Sequence, residues 1–293
     1  MNAERPQLIG LPTRIRLSEV IGSGSFCTVW KARDSQTGQD FAIKLLSVQS
    51  GGALASERLE REARALSRLN KLEGAVSLHQ VGITADGTAW LLLDFAPGGS
   101  LQDRLDATLT TALTTASTTA SITAELEAEQ ALVALRESNE FLAASLFFTL
   151  AQAHESGVIH GDISPANVLF AESGKPLLAD FGMAGLLGGG DGALGVVGFT
   201  PAYAAPERIR GGPPDQASDV YALAATLWHA KFGNPPGSAR PQRSALPPNE
   251  QSELKRDWMQ GALSELPAER PDALGVARSL SAPTKRHKKM RLR

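Results

Sequence analysis

The chain has 293 residues, with 29 Lys and Arg against 31 Asp and Glu and 42% hydrophobic residues, long enough to bury a large core. A net charge of −2 with 20% charged residues excludes a disordered polyelectrolyte and a uniformly basic nucleic-acid coat. A single cysteine, Cys27, excludes an intrachain disulfide and a zinc knuckle and fits a reducing, cytoplasmic setting.

Two uncharged stretches fail as membrane spans. Ala107 to Ala124 carries eight Thr and two Ser, too polar for hydrocarbon. Phe141 to Ala153 is only 13 residues, the length of a buried core helix. The start of the chain, with Glu4 and Pro6, lacks the apolar run of a signal peptide. Charge is uneven: the last ten residues hold six Lys and Arg and no acid, leaving 23 basic against 31 acidic residues elsewhere, a net −8. The basic run Lys285 to Arg293 suits an anionic partner, and equally a solvated terminus.

In chain order, Arg14–Ile21, Thr28–Arg33 and Asp40–Leu46 read as strands joined by turns at Gly22–Gly24 and Thr37–Gly38. Ser56 to Leu69 has helical spacing, with Leu59, Ala63, Leu66 and Leu69 in one stripe and Glu62 inside it. Val76–Ile83 and Trp90–Phe95 are further strands around an Asp86–Gly87 turn. The Thr/Ala-rich stretch from 107 to 124 reads as a low-complexity insertion running toward a helix at Glu125–Arg136. Helices follow at Phe141–Ser156, Ala217–Lys231, Leu254–Leu263 and Asp272–Leu280. A β-rich front and a helical back predict a two-lobed α+β fold.

Three clusters carry chemistry. Ile21-Gly22-Ser23-Gly24-Ser25 lets backbone N–H groups approach a phosphate without Cβ obstruction, although a ligand-free Gly-rich hairpin has the same look. A strand follows it rather than a helix, which argues against a dinucleotide fold. Lys44, between Ile43 and Leu45, points to the opposite strand face from both, and Glu62 in an apolar stripe needs a partner such as Lys44. Taken alone, that pair reads slightly better as a surface ion pair. The third cluster is His160-Gly161-Asp162 with Asn167, followed by Asp180-Phe181-Gly182. Asp162 can accept a hydroxyl proton, while Asn167 and Asp180 offer oxygen ligands to Mg²⁺.

The order of glycine turn, strand Lys44, helix Glu62, Asp162-x-x-x-x-Asn167 and Asp180-Phe181-Gly182 resembles the eukaryotic-like Ser/Thr protein kinases over nearly the whole chain. The likeness continues in Ala205-Pro206-Glu207, in Ser218-Asp219-Val220 and in Glu269-Arg270-Pro271. It implies a kinase fold with a β-rich N-lobe holding one main helix (14–95) and a helical C-lobe (96–281). Residues 1–13 would be an extension and 282–293 a tail. It further implies that Gly22, Ser23, Gly24 and Ser25 cover the phosphates of ATP, and that Lys44, held by Glu62, contacts them. Asp162 would be the catalytic base, with Asn167 and Asp180 on Mg²⁺. Ile21, Val29, Ala42 and Leu169 would sandwich adenine, with Leu93 behind it and Asp94 to Ala96 as the hinge. Thr200 matches the residue that favours Ser/Thr acceptors, and Glu207, Asp219 and Arg270 match the substrate platform, Glu207 pairing with Arg270. The partner implied is a protein with a Ser/Thr hydroxyl, with no specific nucleic acid.

Four departures qualify the likeness. Cys27 replaces a loop glycine, as a tolerated small residue or a reactive thiol. Ser164 stands where these kinases carry a lysine, which removes one positive charge from the transition state. A small-molecule phosphotransferase and an ATP-binding pseudokinase scaffold therefore stay open as alternatives. Gly161 replaces the arginine that reads an activation-loop phosphate, and Met183 to Phe199 holds no Ser, Thr or Tyr. Reader and mark are missing together, so activity is expected not to depend on phosphorylation of that loop.

Overall fold

The computed structural model describes residues 8–23, 27–46, 52–69, 72–84, 89–107, 140–181, 185–186, 199–236 and 258–281. The calls on Gly24, Ser25, Gly182, the Asp86–Gly87 turn, the bulk of the Thr/Ala-rich insertion, the helix at 125–136 and the basic tail lie outside these residues.

The front of the chain forms one antiparallel sheet of six strands. They are β1 (Leu8–Ile9), β2 (Ile15–Ser23), β3 (Cys27–Asp34), β4 (Asp40–Leu46), β5 (Leu78–Thr84) and β6 (Ala89–Asp94), in the spatial order β1-β5-β6-β4-β3-β2. Side chains alternate across the sheet, so each strand feeds two cores. Ile15, Trp30, Ala32, Phe41, Ile43, Trp90 and Leu92 form a small cluster on one face. Ala42, Leu91 and Leu93 point the other way into the main core, against Ala65, Leu66 and Leu69 of helix α1 (Gly52–Arg68). Trp90 lies so close over β5 that a Cβ on Gly82 would come within 2.2 Å of its ring.

Two outcomes differ from the expected strands. Leu8–Ile9, inside the expected extension, pairs with β5 at Leu8↔Thr84 and so adds an edge strand. Two residues carry no readable alternation. The strand expected from Val76 starts only at Leu78, because Val76 N–H donates to Leu178 O at 2.9 Å, in the other lobe.

The helical lobe follows: α2 (101–107), α3 (140–155), β7 (Val158–Ile159), β8 (Val168–Phe170), β9 (Pro176–Leu178) and β10 (Gly185–Leu186). Then come α4 (Pro206–Ile209), α5 (Gln216–Phe232), α6 (Trp258–Ala262) and α7 (Ala273–Ser281). Leu142, Leu146 and Leu150 line the inner face of α3 at helical spacing, with Phe147 beside them. Each buried side chain of this size stabilises by roughly 2 kcal/mol. Helix α5 is buried on most of its circumference, including the charged Asp219. Asp215 and Ser218 close a capping box at its start, and Gly233 ends it in the left-handed conformation (φ 80°).

Candidate active site

The site lies between the lobes. Strand β4 delivers Lys44 and helix α1 delivers Glu62, both buried, and Lys44 Nζ donates to Glu62 Oε2 at 2.7 Å. The same ammonium donates to Asp180 Oδ1 at 2.7 Å, across the interlobe gap. Burial alone would lower the Lys44 pKa; Asp180 and Glu62 outweigh it, so the group sits above the ordinary lysine value and stays charged. Asp180 has φ 60°, the one non-glycine residue with positive φ among the described residues. Such a backbone costs of order 1 kcal/mol and persists only where its surroundings hold it.

Asp162 sits on the loop between β7 and β8. Its Oδ1 accepts from Thr200 N at 2.8 Å and from Thr200 Oγ1 at 3.0 Å. Its carbonyl accepts from Asn167 Nδ2 at 2.8 Å, so the Asn167 amide oxygen remains an acceptor. Burial pushes the Asp162 carboxyl above its ordinary 3.8, against the two Thr200 hydrogen bonds and His160, while nearby Asp180 adds to the rise.

Helix α5 fixes this loop from below. The buried Asp219 carboxylate accepts from His160 N and Gly161 N, each at 2.8 Å, and from His154 Nε2 at 3.0 Å. His160 Nε2 donates to Ala179 O at 3.0 Å, leaving Nδ1 as an acceptor facing Asp162 N–H at 3.4 Å. The His160 ring also packs on Phe181, centroids 4.5 Å apart, which places Asp180. Gly161 has φ 81°, a conformation that glycine adopts without a Cβ penalty.

The remaining expected residues divide by position. Val29, Ala42, Leu93 and Leu169 all belong to the main core or pack against it, whereas Ile21 is 44% exposed. Asp94 turns its side chain away from that wall, accepting from Ser77 N at 3.1 Å and His79 Nε2 at 2.6 Å. Ala96 is half-buried just beyond it. Gly22 pairs with Val29, and a Cβ there would meet only ordinary contacts at 3.7 Å, so packing does not demand a glycine. Ser23 ends β2 and is exposed. Glu207 and Arg270 form a two-pronged ion pair, with Nη2 to Oε2 at 2.8 Å.

Three participants escaped the sequence reading. His154 and Arg208 are buried, and His229 Nδ1 meets Tyr203 Oη at 2.8 Å. Single polar residues in helices carry no spacing signal that would separate them from surface positions.

A curled sheet with one helix, a helical lobe and this cleft between them define a two-lobed kinase fold. The protein kinase domain profile matches residues 15–260. The chain is similar to the serine/threonine-protein kinase PknK of Mycobacterium tuberculosis, 32% identical over 216 residues, which cover 74% of this chain and 17% of that protein. It is similar to PknJ of Mycobacterium bovis (32% over 231 residues, 76% and 35%) and to PknA of Mycobacterium tuberculosis (30% over 237 residues, 78% and 49%). The chain thus spans less than half the length of these relatives. It belongs to the protein kinase family, in its bacterial Ser/Thr branch.

Proposed function

We propose that this chain is a Ser/Thr protein kinase that moves the γ-phosphoryl group of ATP, with Mg²⁺, onto protein hydroxyls. The observation that supports it best is the convergence on one cleft of Lys44, bridging Glu62 and Asp180, with Asp162, bridged to Thr200. The donor set suits a hard cation: the Asp180 carboxylate and the remaining Asn167 amide oxygen are the one or two protein oxygens that Mg²⁺ takes beside phosphates. When bound, Mg²⁺ and ATP supply the phosphoryl group and neutralise its charge.

The chain's own residues do the rest in this reading. Gly22 to Ser25 cover the phosphates with backbone N–H groups, and Lys44 meets them as a fixed cation oriented by Glu62. Val29, Ala42, Leu93 and Leu169, with Ile21 at the rim, form apolar walls for adenine, and Asp94 to Ala96 form the hinge. Asp162 orients the acceptor hydroxyl and takes its proton. Thr200 tethers Asp162 to the acceptor shelf, which the Glu207–Arg270 pair and Asp219 hold in place. Ser164 brings no charge to the transferred group, so positioning and the remaining cations carry the rate. The reading includes control other than phosphorylation of the 183–199 loop, a cytoplasmic location and an anionic partner for Lys285 to Arg293. Among the described residues no helix is long and apolar enough to cross a membrane.

Radiolabelled ATP with and without generic protein acceptors tests it. Label on Ser or Thr of added protein, lost in Asp162→Asn, is the expected result. Label only on small hydroxyl compounds would favour a metabolite phosphotransferase. ATP binding with no transfer would favour a scaffold. Phosphatase treatment should leave the rate within about threefold; a tenfold drop, about 1.4 kcal/mol of barrier, would refute independence from phosphorylation.

A further inference from the structure

Strand β5 carries one residue more than β6 does over a single step. Leu78 pairs with Leu93 and Gln80 with Leu92, which leaves His79 as a bulge without a register partner on β6. A bulge bends its strand and re-aims the extra side chain. The His79 ring reaches the end of β6, where Nε2 donates to Asp94 Oδ1 at 2.6 Å, and it meets Phe41 of β4 edge-on with centroids 5.1 Å apart. Phe41 is itself the register partner of Asp94. The second Asp94 oxygen accepts from Ser77 N at 3.1 Å, and Asp94 N donates to Ser77 O at 3.1 Å.

We propose that His79 is a positioning residue for the nucleotide: with Asp94 it braces residues 94–96 against β5 and so sets the affinity for ATP from outside the pocket. The proposal rests on the kinase reading and adds to it a residue that acts only through Asp94.

An ionised carboxylate can only accept, so Nε2 carries the proton in this bond whatever the charge of the ring. Burial alone would raise the Asp94 carboxyl, but the hydrogen bonds from His79 and Ser77 prevail and hold it below its ordinary 3.8. Leu93 turns to the opposite face, into the main core beside its register partner Ala42. Releasing the Asp94 side chain therefore frees the backbone that carries Leu93 on one side and Ala96 on the other. The brace ends on backbone already fastened to the helical lobe, since Val76, next to Ser77, donates to Leu178 O at 2.9 Å. The two side chains are 37% and 33% exposed, so breaking the pair loosens this corner without leaving a buried charge in the core.

The test compares His79→Leu, which keeps bulk and removes the donor, with His79→Gln, whose amide N–H can still reach Asp94. Amide exchange of Ser77 is followed by NMR in the nucleotide-free protein. The Kd for ATP with Mg²⁺ is measured by calorimetry, and kcat and both KM values by initial rates. His79→Leu should speed Ser77 exchange about tenfold or more and weaken ATP binding about threefold or more. Its kcat and its KM for a protein acceptor should stay within about twofold of wild type. His79→Gln should restore both the slow exchange and the affinity. Wild-type exchange or an unchanged Kd in His79→Leu overturns the proposal. If His79→Leu fails to fold, Asp94→Ala, which removes both acceptors, decides by its nucleotide Kd. Faster exchange in His79→Leu, beside a wild-type chain that binds no ATP, would refute the kinase reading and leave the brace standing.

Discussion

Lys44 makes two bonds of equal length with different consequences. Glu62 is deeply buried, so losing the Lys44 ammonium removes its opposite charge inside the core, whereas the Asp180 side chain is 40% exposed. Lys44→Met should lose phosphoryl transfer by a factor of order 10² to 10³. It should remain folded but destabilised by about 3 kcal/mol, because the buried Glu62 loses the opposite charge of the Lys44 ammonium. Glu62→Gln leaves the Asp180 contact intact, and its activity loss should be at least tenfold smaller. Initial rates and thermal unfolding of both variants check this, and equal activity losses would count against Lys44 meeting the phosphates directly. The Lys44–Glu62 pair was legible because a carboxylate interrupts an apolar stripe and a lysine interrupts an apolar strand. Arg208 interrupts nothing, since a four-residue helix has no stripe, and only its burial distinguishes it.

Among the elements, the turn between β6 and α2 depends on a missing side chain. Gly98 N donates to Phe170 O at 2.9 Å, and Phe170 N donates to Gly99 O at 2.9 Å. A Cβ on Gly98 would come within 2.7 Å of both that carbonyl oxygen and the Phe170 Cβ, and backbone cannot swing aside as a side-chain tip can. Gly98→Ala should therefore push this turn off β8, cost about 2 kcal/mol and, on the proposed function, weaken ATP binding, because Leu169 and Ala96 flank that junction. Denaturant unfolding and a nucleotide titration measure the two effects; unchanged values for both would show that the junction relaxes freely. The long strands and α1, α3 and α5 were readable from their periods to within a few residues. The two-residue strands, α4 and the Val76–Leu178 contact were not, because their partners are remote in sequence and their own pattern is too short to repeat.

For the molecule as a whole, the Glu207–Arg270 pair joins the acceptor shelf to the final helical segment. The Arg270 side chain is fully buried and also donates to Ala217 O at 3.0 Å and Ser264 O at 2.8 Å. Burial would raise the Glu207 carboxyl, but the Arg270 hydrogen bonds prevail and hold it below its ordinary 4.5. A carboxylate depressed in the folded state adds stability that is complete above its ordinary value and disappears as pH falls through the lower, folded one. Melting temperature should thus drop as pH falls below about 4.5, and Glu207→Gln should flatten that drop while lowering stability by about 3 kcal/mol at neutral pH. A Glu207→Gln acid profile parallel to wild type would show that other carboxylates govern acid unfolding.

Backbone joins the sheet lobe to the helical lobe at the turn after α1, where Leu178 N donates to Gly74 O at 2.7 Å and Val76 N donates to Leu178 O at 2.9 Å. The Lys44–Asp180 ion pair closes the gap between the same two lobes from another side. Any opening of the cleft that spares the backbone seam must stretch this ion pair, so it serves as a latch, and Lys44 stays gripped by Glu62 on its own lobe when the latch parts.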